Sequence, residues 1–215
     1  MTWFDSFPKA KVGDYTMLVD PTDENIRKHL QDNGVWEPRG TELVNQEFTC
    51  GVFVDVGAHW GYYTLLAAKK AKMVYAFEAN PFNFRYLQLN ILINKLYNVV
   101  AYPLALMDKA GSAKSTFHYT NTGGSPVGWP DDVASPLIHA APFDSLGLGQ
   151  VDFIKVDAEG SDSQVVYGMR DTIASCAPKL LIESPPVGFL HDLNYRQVKD
   201  VGDTSGPLSY WEREK

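Results

Sequence analysis

Ten residues constrain this chain more than any others: Val52 to Gly61, V-F-V-D-V-G-A-H-W-G. Val52, Phe53, Val54 and Val56 are strand formers, and an apolar run of this kind suits a strand covered on both faces. Gly57 lets the chain turn and leaves no side chain between the backbone and a ligand. Gly61 opens a helix to Ala71, whose first amides and dipole favour a negatively charged group. A second stretch, Tyr75 to Asn80, reads Y-A-F-E-A-N and ends a second strand at Glu78, where a carboxylate reaches a ribose. Together the two stretches describe a nucleoside-bearing cofactor lying across the first two strands of a parallel sheet.

The rest of the chain continues the alternation of strand and helix that marks a parallel α/β sheet. Strands are expected at Val52 to Val56, Met73 to Phe77, Asn98 to Leu104, Asp152 to Val156 and Lys179 to Ile182. Helices are expected from Pro81 to Asn94, with Tyr86, Leu89, Ile93 and Leu96 as the apolar stripe, and from Ser161 to Ala174. A turn at Asp108 to Gly111 leads to a strand near Lys114 to Tyr119. The tail supplies two strands, Tyr195 to Val201 and Leu208 to Arg213, as an antiparallel hairpin. Little room is left for a helix before it. Residues 1–49 form an N-terminal cover, with a strand at Tyr15 to Val19, a helix from Pro21 to Asp32 and a short helix at Thr41 to Gln46. Residues 121–142 hold three Gly, four Pro, Trp129 and His139, with one strand expected at Val133 to His139. A long irregular stretch in a compact domain faces substrate or moves.

At 215 residues the chain is one domain with a sizeable core. A formal net charge of -7 argues against a broad nucleic-acid footprint. Two cysteines, Cys50 and Cys176, form no disulfide framework or metal-like spacing. Neither a signal-peptide core nor a membrane-spanning run is found. A cytoplasmic location is the expectation.

The cofactor follows by elimination. A dinucleotide site wants G-x-G-x-x-G, but His59 replaces the second glycine and crowds a pyrophosphate. A phosphate-binding loop wants Gly-Lys-Ser/Thr, which does not occur. What remains, D-x-G-x-x-x-G with an acid ending the next strand, fits S-adenosylmethionine, which has no phosphates to cradle. Cofactor contacts are expected from Gly57, Ala58, His59, Gly61 and Tyr62 around the turn. Glu78 would take both ribose hydroxyls, flanked by Ala79 and Asn80. Asp55 sits below the turn, Ala105 and Leu106 line the adenine, Asp157 adjoins the methyl group, and Glu37 reaches in from the cover.

The segments V-F-V-D-V-G-A-H-W-G-Y-Y-T, A-F-E-A-N-P-F-N-F-R-Y-L-Q-L-N, D-F-I-K-V-D-A-E-G-S and L-L-I-E-S together resemble the FkbM family of S-adenosylmethionine-dependent methyltransferases. The likeness spans about two thirds of the chain, from Val52 through Glu183; His59 departs from it, since the family commonly has Asn there. It implies a Rossmann-like class I methyltransferase fold: a mostly parallel seven-stranded sheet with an antiparallel C-terminal hairpin and a short N-terminal extension. It also implies methylation of a hydroxyl on a sugar, glycan or small natural product.

Methyl transfer to a hydroxyl requires alignment of acceptor and methyl carbon and removal of a proton. Alternation along the strand places Lys155, Asp157 and Glu159 on one side. In the catalytic reading Asp157 positions or deprotonates the acceptor, helped by Lys155 and Glu159. In the competing one Asp157 and Glu159 only cap the next helix and order the turn. His118 and His139 are alternative bases. Trp60 packs in the core or against the methionine end. Asp131 and Asp132 could join Asp157 around a cation, but adjacent acids in a loop are ordinarily solvated, and no metal is expected. Two rival functions remain. An RNA methyltransferase would share the helix after Glu78, yet the chain is acidic and lacks an N-P-P-Y-like tetrapeptide. A non-catalytic cofactor-binding module is the other.

Overall fold

A computed structural model describes residues 6–115, 127–128, 137–202 and 206–214. The chain opens with a hairpin, β1 (Lys9–Val12) and β2 (Tyr15–Leu18), followed by helices α1 (Ile26–Asn33) and α2 (Pro38–Glu47). Then come β3 (Val52–Val56), α3 (Tyr62–Ala68), β4 (Met73–Phe77), α4 (Pro81–Ile93) and β5 (Val99–Tyr102). After four short strands, β6 (Ala105–Leu106), β7 (Gly111–Ser115), β8 (Val127–Gly128) and β9 (Leu137–Ala141), the alternation resumes. It runs through β10 (Phe153–Val156), α5 (Asp162–Tyr167), α6 (Arg170–Cys176), β11 (Lys179–Ile182) and α7 (Val187–Asp192) to β12 (Tyr195–Asp200) and β13 (Ser209–Arg213).

The central sheet has seven strands in the order β12-β13-β11-β10-β3-β4-β5. The five strands from β11 to β5 run parallel, while β13 is antiparallel to both β11 and β12. This is the class I methyltransferase arrangement. The strand order reverses between β3 and β10, so ligands are offered a crevice at the carboxyl ends of those two strands. Strand β3 shows why its apolar run is continuous. Phe53 faces one core with Leu65 and Phe153, and Val54 and Val56 face the other with Val165, Ile182 and Trp211. Both faces are buried, as a strand between two helix layers requires.

Several elements differ from the sequence reading. The single helix expected over Ser161 to Ala174 is two, broken at Gly168. A Cβ there would stand 2.0 Å from the Met107 carbonyl oxygen, so the chain turns where it passes that backbone. Asp144, in the 3-10 turn Phe143–Leu146, then caps α6 by accepting from the N–H groups of Asp171 (2.9 Å) and Thr172 (3.0 Å). A helix, α7, does fit before the final hairpin, contrary to expectation, because six residues suffice. Strands β6, β9, β7 and β8 form a separate four-stranded sheet in that order, where only isolated strands were expected. In it the strand expected from Lys114 begins earlier, at Gly111, with 116–119 outside the described residues, and the one ending at His139 runs on to Ala141. The buried side of α4 is also different. It carries Asn83, Tyr86, Leu87 and Asn90, not a purely apolar stripe. Asn90 accepts from Leu18 N–H (2.7 Å) and donates to the carbonyls of Leu18 (3.0 Å) and Trp60 (2.8 Å). One turn on, Asn94 makes the same reciprocal pair with Thr16. Two side-chain amides thus complete the free edge of β2 and fasten the N-terminal hairpin to the core.

Candidate functional site

The carboxyl ends of β3, β4 and β10 open into a cleft of about 980 Å³, mouth included. Its floor is the turn after β3. The N–H groups of Gly57 and Ala58 both donate to the Phe77 carbonyl at 3.0 Å. Gly57 has φ 71°, and a Cβ on it would fall 1.8 Å from the carbonyl oxygen of Asp157. Only a residue without a side chain lets the β3 and β10 turns touch. His59 follows at φ 53°, a left-handed conformation rare outside glycine. Its backbone N–H donates to Glu78 Oε2 at 2.7 Å, and Asn80 N–H donates to Glu78 Oε1 at 2.7 Å. The Glu78 carboxylate is therefore fixed by two amides while 7% exposed. Burial pushes it up to about 7, with those two amides pulling the other way. Burial drives the His59 imidazole down to about 4, so it is neutral at pH 7.

The opposite wall is ionic. Lys155, 3% exposed, donates to Asp157 Oδ2 at 2.9 Å and lies 4.9 Å from the centre of the Tyr63 ring. Burial alone would lower its ammonium, but Asp157, Asp55 and Glu37 outweigh that and raise it above its ordinary value. Tyr63 donates its hydroxyl to Glu37 Oε2 at 2.8 Å. Beyond Asp157 stands Glu183, at the end of the neighbouring strand, which is pushed up to about 8 by burial and by the acids around it, Asp157 first. Glu159 is exposed at the mouth in a left-handed backbone conformation (φ 50°). Partial desolvation and the charge of Asp157 bring it to about 7.

Most of the residues expected from the sequence meet here. Gly57, Ala58, His59, Tyr62, Glu78, Ala79, Asn80, Ala105, Leu106, Lys155, Asp157 and Glu159 all line the cleft. Three residues lie behind the wall. Asp55 is fully buried, accepts from the Thr64 hydroxyl at 2.6 Å, and is raised by burial, with Lys155 opposing. Gly61 caps α3 at φ 96°. Glu37 stands outside the lining and accepts from the Tyr63 hydroxyl. Met17, Ile26 and Trp36 of the N-terminal segment join the lining. His139 is exposed on β9, outside the cleft lining, and His118, Trp129, Asp131 and Asp132 lie outside the described residues. Among the described residues no group of His, Cys, Asp and Glu could hold a metal ion, and no helix is long and apolar enough to cross a membrane.

Sequence reasoning passed over Tyr63 and Glu183. The signal for Glu183 was available: Val156 pairs with Ile182 in register, which sets Asp157 and Glu183 side by side at the ends of adjacent parallel strands. Tyr63 gave no such signal, because its role depends on where the N-terminal segment folds back.

A family profile described as the methyltransferase FkbM domain matches residues 55–192, well over half of the chain. A crystal structure of methyltransferase FkbM from Methylobacillus flagellatus superposes with a TM-score of 0.57 at 19% identity, over 74% of this chain and 42% of that one. Trm5b from Pyrococcus abyssi superposes at 0.52 with 14% identity, over 96% of this chain and 56% of that one. Two curated relatives match short stretches. A tRNA(Phe) (4-demethylwyosine(37)-C(7)) aminocarboxypropyltransferase of Methanocaldococcus jannaschii is 51% identical over 51 residues, 23% of this chain and 20% of that protein. The tRNA (guanine(37)-N(1))-methyltransferase Trm5b of Pyrococcus abyssi is 45% identical over 49 residues, 23% of this chain and 15% of that protein. The matched stretch thus spans a fifth or less of these two relatives. The glycine turn after β3, the carboxylate ending β4 and the D-A-E-G turn after β10 all fall within the matched profile, and the chain belongs to the FkbM methyltransferase family.

Proposed function

We propose that this protein transfers a methyl group from S-adenosylmethionine to a hydroxyl of a sugar, glycan or small natural product. The observation that carries the reading is the charge of the cleft. Its lining holds three carboxylates, Glu78, Asp157 and Glu159, and one ammonium, Lys155, already paired to Asp157. Among the described residues of the lining no cation is left over for a pyrophosphate, whereas a nucleoside bearing a positive charge is suited to such a wall. The residues present fit that group. Each Glu78 oxygen takes one backbone N–H and keeps a lone pair for a ribose hydroxyl. Ala79, Ala105 and Leu106 offer an apolar slot for the base. Gly57 keeps the floor open. When bound, S-adenosylmethionine supplies an electrophilic methyl carbon next to a sulfonium.

The chain's own part is to orient and to accept a proton. Lys155 holds Asp157 by one oxygen and stabilises its anion. Asp157 at the end of β10 then orients the acceptor hydroxyl and takes its proton. Incubation with methyl-labelled S-adenosylmethionine and separate metabolite, glycan and RNA fractions tests the reading. Label in a neutral hydroxyl-bearing product supports it. Binding of the cofactor with no transfer to any fraction would leave a binding module instead. A second reading, RNA methylation, is favoured by the tRNA-modifying relatives. It predicts label in RNA and affinity that falls steeply with salt.

A further inference from the structure

We propose that Glu183 is the proton-sharing partner of Asp157, and that the two carboxyls act as one base that takes the acceptor's proton only from its doubly ionised form. The inference rests on the methyl-transfer reading above and assigns the residue that sets its pH range. The placement is built into the sheet. Strands β10 and β11 are parallel and in register through Val156 and Ile182, and the N–H of Glu183 donates to the Val156 carbonyl at 3.1 Å. Their next residues, Asp157 and Glu183, emerge side by side at the carboxyl ends of adjacent strands. Lys155 occupies Asp157 Oδ2, so Asp157 is the member held as an anion and Glu183 is the member that carries the proton. The other groups around Glu183 add negative charge: Asp162 from α5 and Glu159 from the intervening turn. From the C-terminal hairpin, Gly206 comes within 3.4 Å of Glu183 Oε1, measured from where its Cβ would stand. The charged groups that act most on Glu183 are all acids. Two adjacent carboxyls, two further acids and partial burial make the second ionisation costly, which keeps one proton between them near neutrality.

The chemistry balances without a further reactant. As the acceptor oxygen bonds to the methyl carbon, the S–C pair stays on sulfur, and the acceptor O–H proton passes to Asp157. That proton is then held between Asp157 and Glu183 and leaves to solvent. A singly protonated pair is a weak base, because a second proton would have to sit against the first. The doubly ionised pair is a strong one, with its proton affinity near the working pH. Glu183 acts through Asp157 and is a positioning residue.

The test is a carboxyl titration of the ligand-free full chain, by carbon NMR of labelled Asp and Glu, for the wild type, Glu183→Gln, Glu183→Asp and Asp157→Asn. In the wild type one carboxyl is expected to titrate at about 8. The signal should vanish in Glu183→Gln and fall toward the ordinary carboxylate range in Asp157→Asn. The pH–rate profile should rise through the same midpoint in the wild type. Glu183→Gln should flatten that limb and cost about 10²-fold in rate on its alkaline side, with far less loss on its acid side. A wild-type Glu183 that titrates in the ordinary range, or that ignores Asp157→Asn, overturns the proposal. Glu183→Asp, which keeps a carboxyl, serves if the glutamine variant does not fold. Failure of the methyl-transfer reading shows separately, as absence of S-adenosylmethionine binding by calorimetry while the coupled titration persists.

Discussion

Replacing Glu78 by Gln separates what this carboxylate costs the fold from what it gives the site. In the folded chain Glu78 is raised from 4.5 to about 7, chiefly by burial. Between those pH values the folded protein holds a proton that the unfolded chain has lost. Its contribution to stability is therefore complete below pH 4.5 and is lost as pH rises through 7. The shift corresponds to about 3 kcal/mol. Glutamine removes that pH dependence but can accept from only one of the two amides, His59 N–H and Asn80 N–H, that the carboxylate serves at 2.7 Å. Leaving one buried amide without an acceptor costs about 1–3 kcal/mol. The variant should thus be clearly less stable than wild type near pH 4.5 and close to it above pH 7. The wild-type curve alone conceals this. His59, driven down to about 4, contributes stability that is present above 6.5 and lost on acidification, which opposes Glu78 in the same window. The assay is denaturant unfolding of both proteins across this range, plotted as the difference, with S-adenosylmethionine titrated into each at pH 7.5. The difference should swing by about 3 kcal/mol, and affinity should drop about 10²-fold or more as two charge-assisted hydroxyl contacts weaken. A flat difference would refute the burial argument, and an unchanged Kd would refute the ribose assignment.

Gly57→Ala forces a Cβ to within 1.8 Å of the Asp157 carbonyl oxygen at a φ of 71°. It should lower stability by about 2–4 kcal/mol in equilibrium unfolding and abolish cofactor binding measured by calorimetry. Asn90→Ala strands the Leu18 N–H and the carbonyls of Leu18 and Trp60, for a loss of about 3 kcal/mol or more. Hydrogen exchange should show the β1–β2 hairpin opening first. Lys155→Met leaves Asp157 and Asp55 without their ammonium and should cost about 3–5 kcal/mol at neutral pH. Acidification should recover part of that loss, because Asp55, already raised by burial, would lose the ammonium that opposes the rise; a loss independent of pH would point to packing alone.

How much of this was legible in the sequence depends on the kind of signal. The strands of the sheet and the glycine turn were readable because Val52 to Val56 and Phe153 to Val156 are apolar except for Asp55 and Lys155 and are buried on both faces, a pattern that suits a covered central strand. The two halves of the helix after β10 were not. Val165, Val166, Met169 and Ile173 keep helical spacing across the break, and Gly168 interrupts it for the sake of Met107, a residue from another part of the chain. Asn90 failed for a related reason. A buried amide on a helix has no local rationale, and its partner, the backbone of Leu18, is 72 positions away. The small four-stranded sheet is built from strands as short as two residues, below the length at which alternation can be read.

The same distinction separates the two ends of the site. Glu78, Gly57 and Asp157 occupy ends of neighbouring strands, so a reading of strand order alone brings them together. The charge state of the site is a property of three remote pieces. Lys155 is balanced by Asp157 beside it, by Asp55 from β3, and by Glu37 from the first turn of α2. Glu37 is also fixed by Tyr63. The N-terminal segment is therefore part of the electrostatics of the reaction centre as well as part of its wall. A phosphate brought to Asp157 would meet Glu159 and Glu183 on the same side, with the one ammonium already engaged. On the proposed reading a polyanionic acceptor would have to bring its own compensation, whereas a neutral hydroxyl would need only the proton acceptor proposed at Asp157. Charge complementarity therefore ranks the acceptors, and the partition of methyl label between neutral and RNA fractions measures that ranking directly.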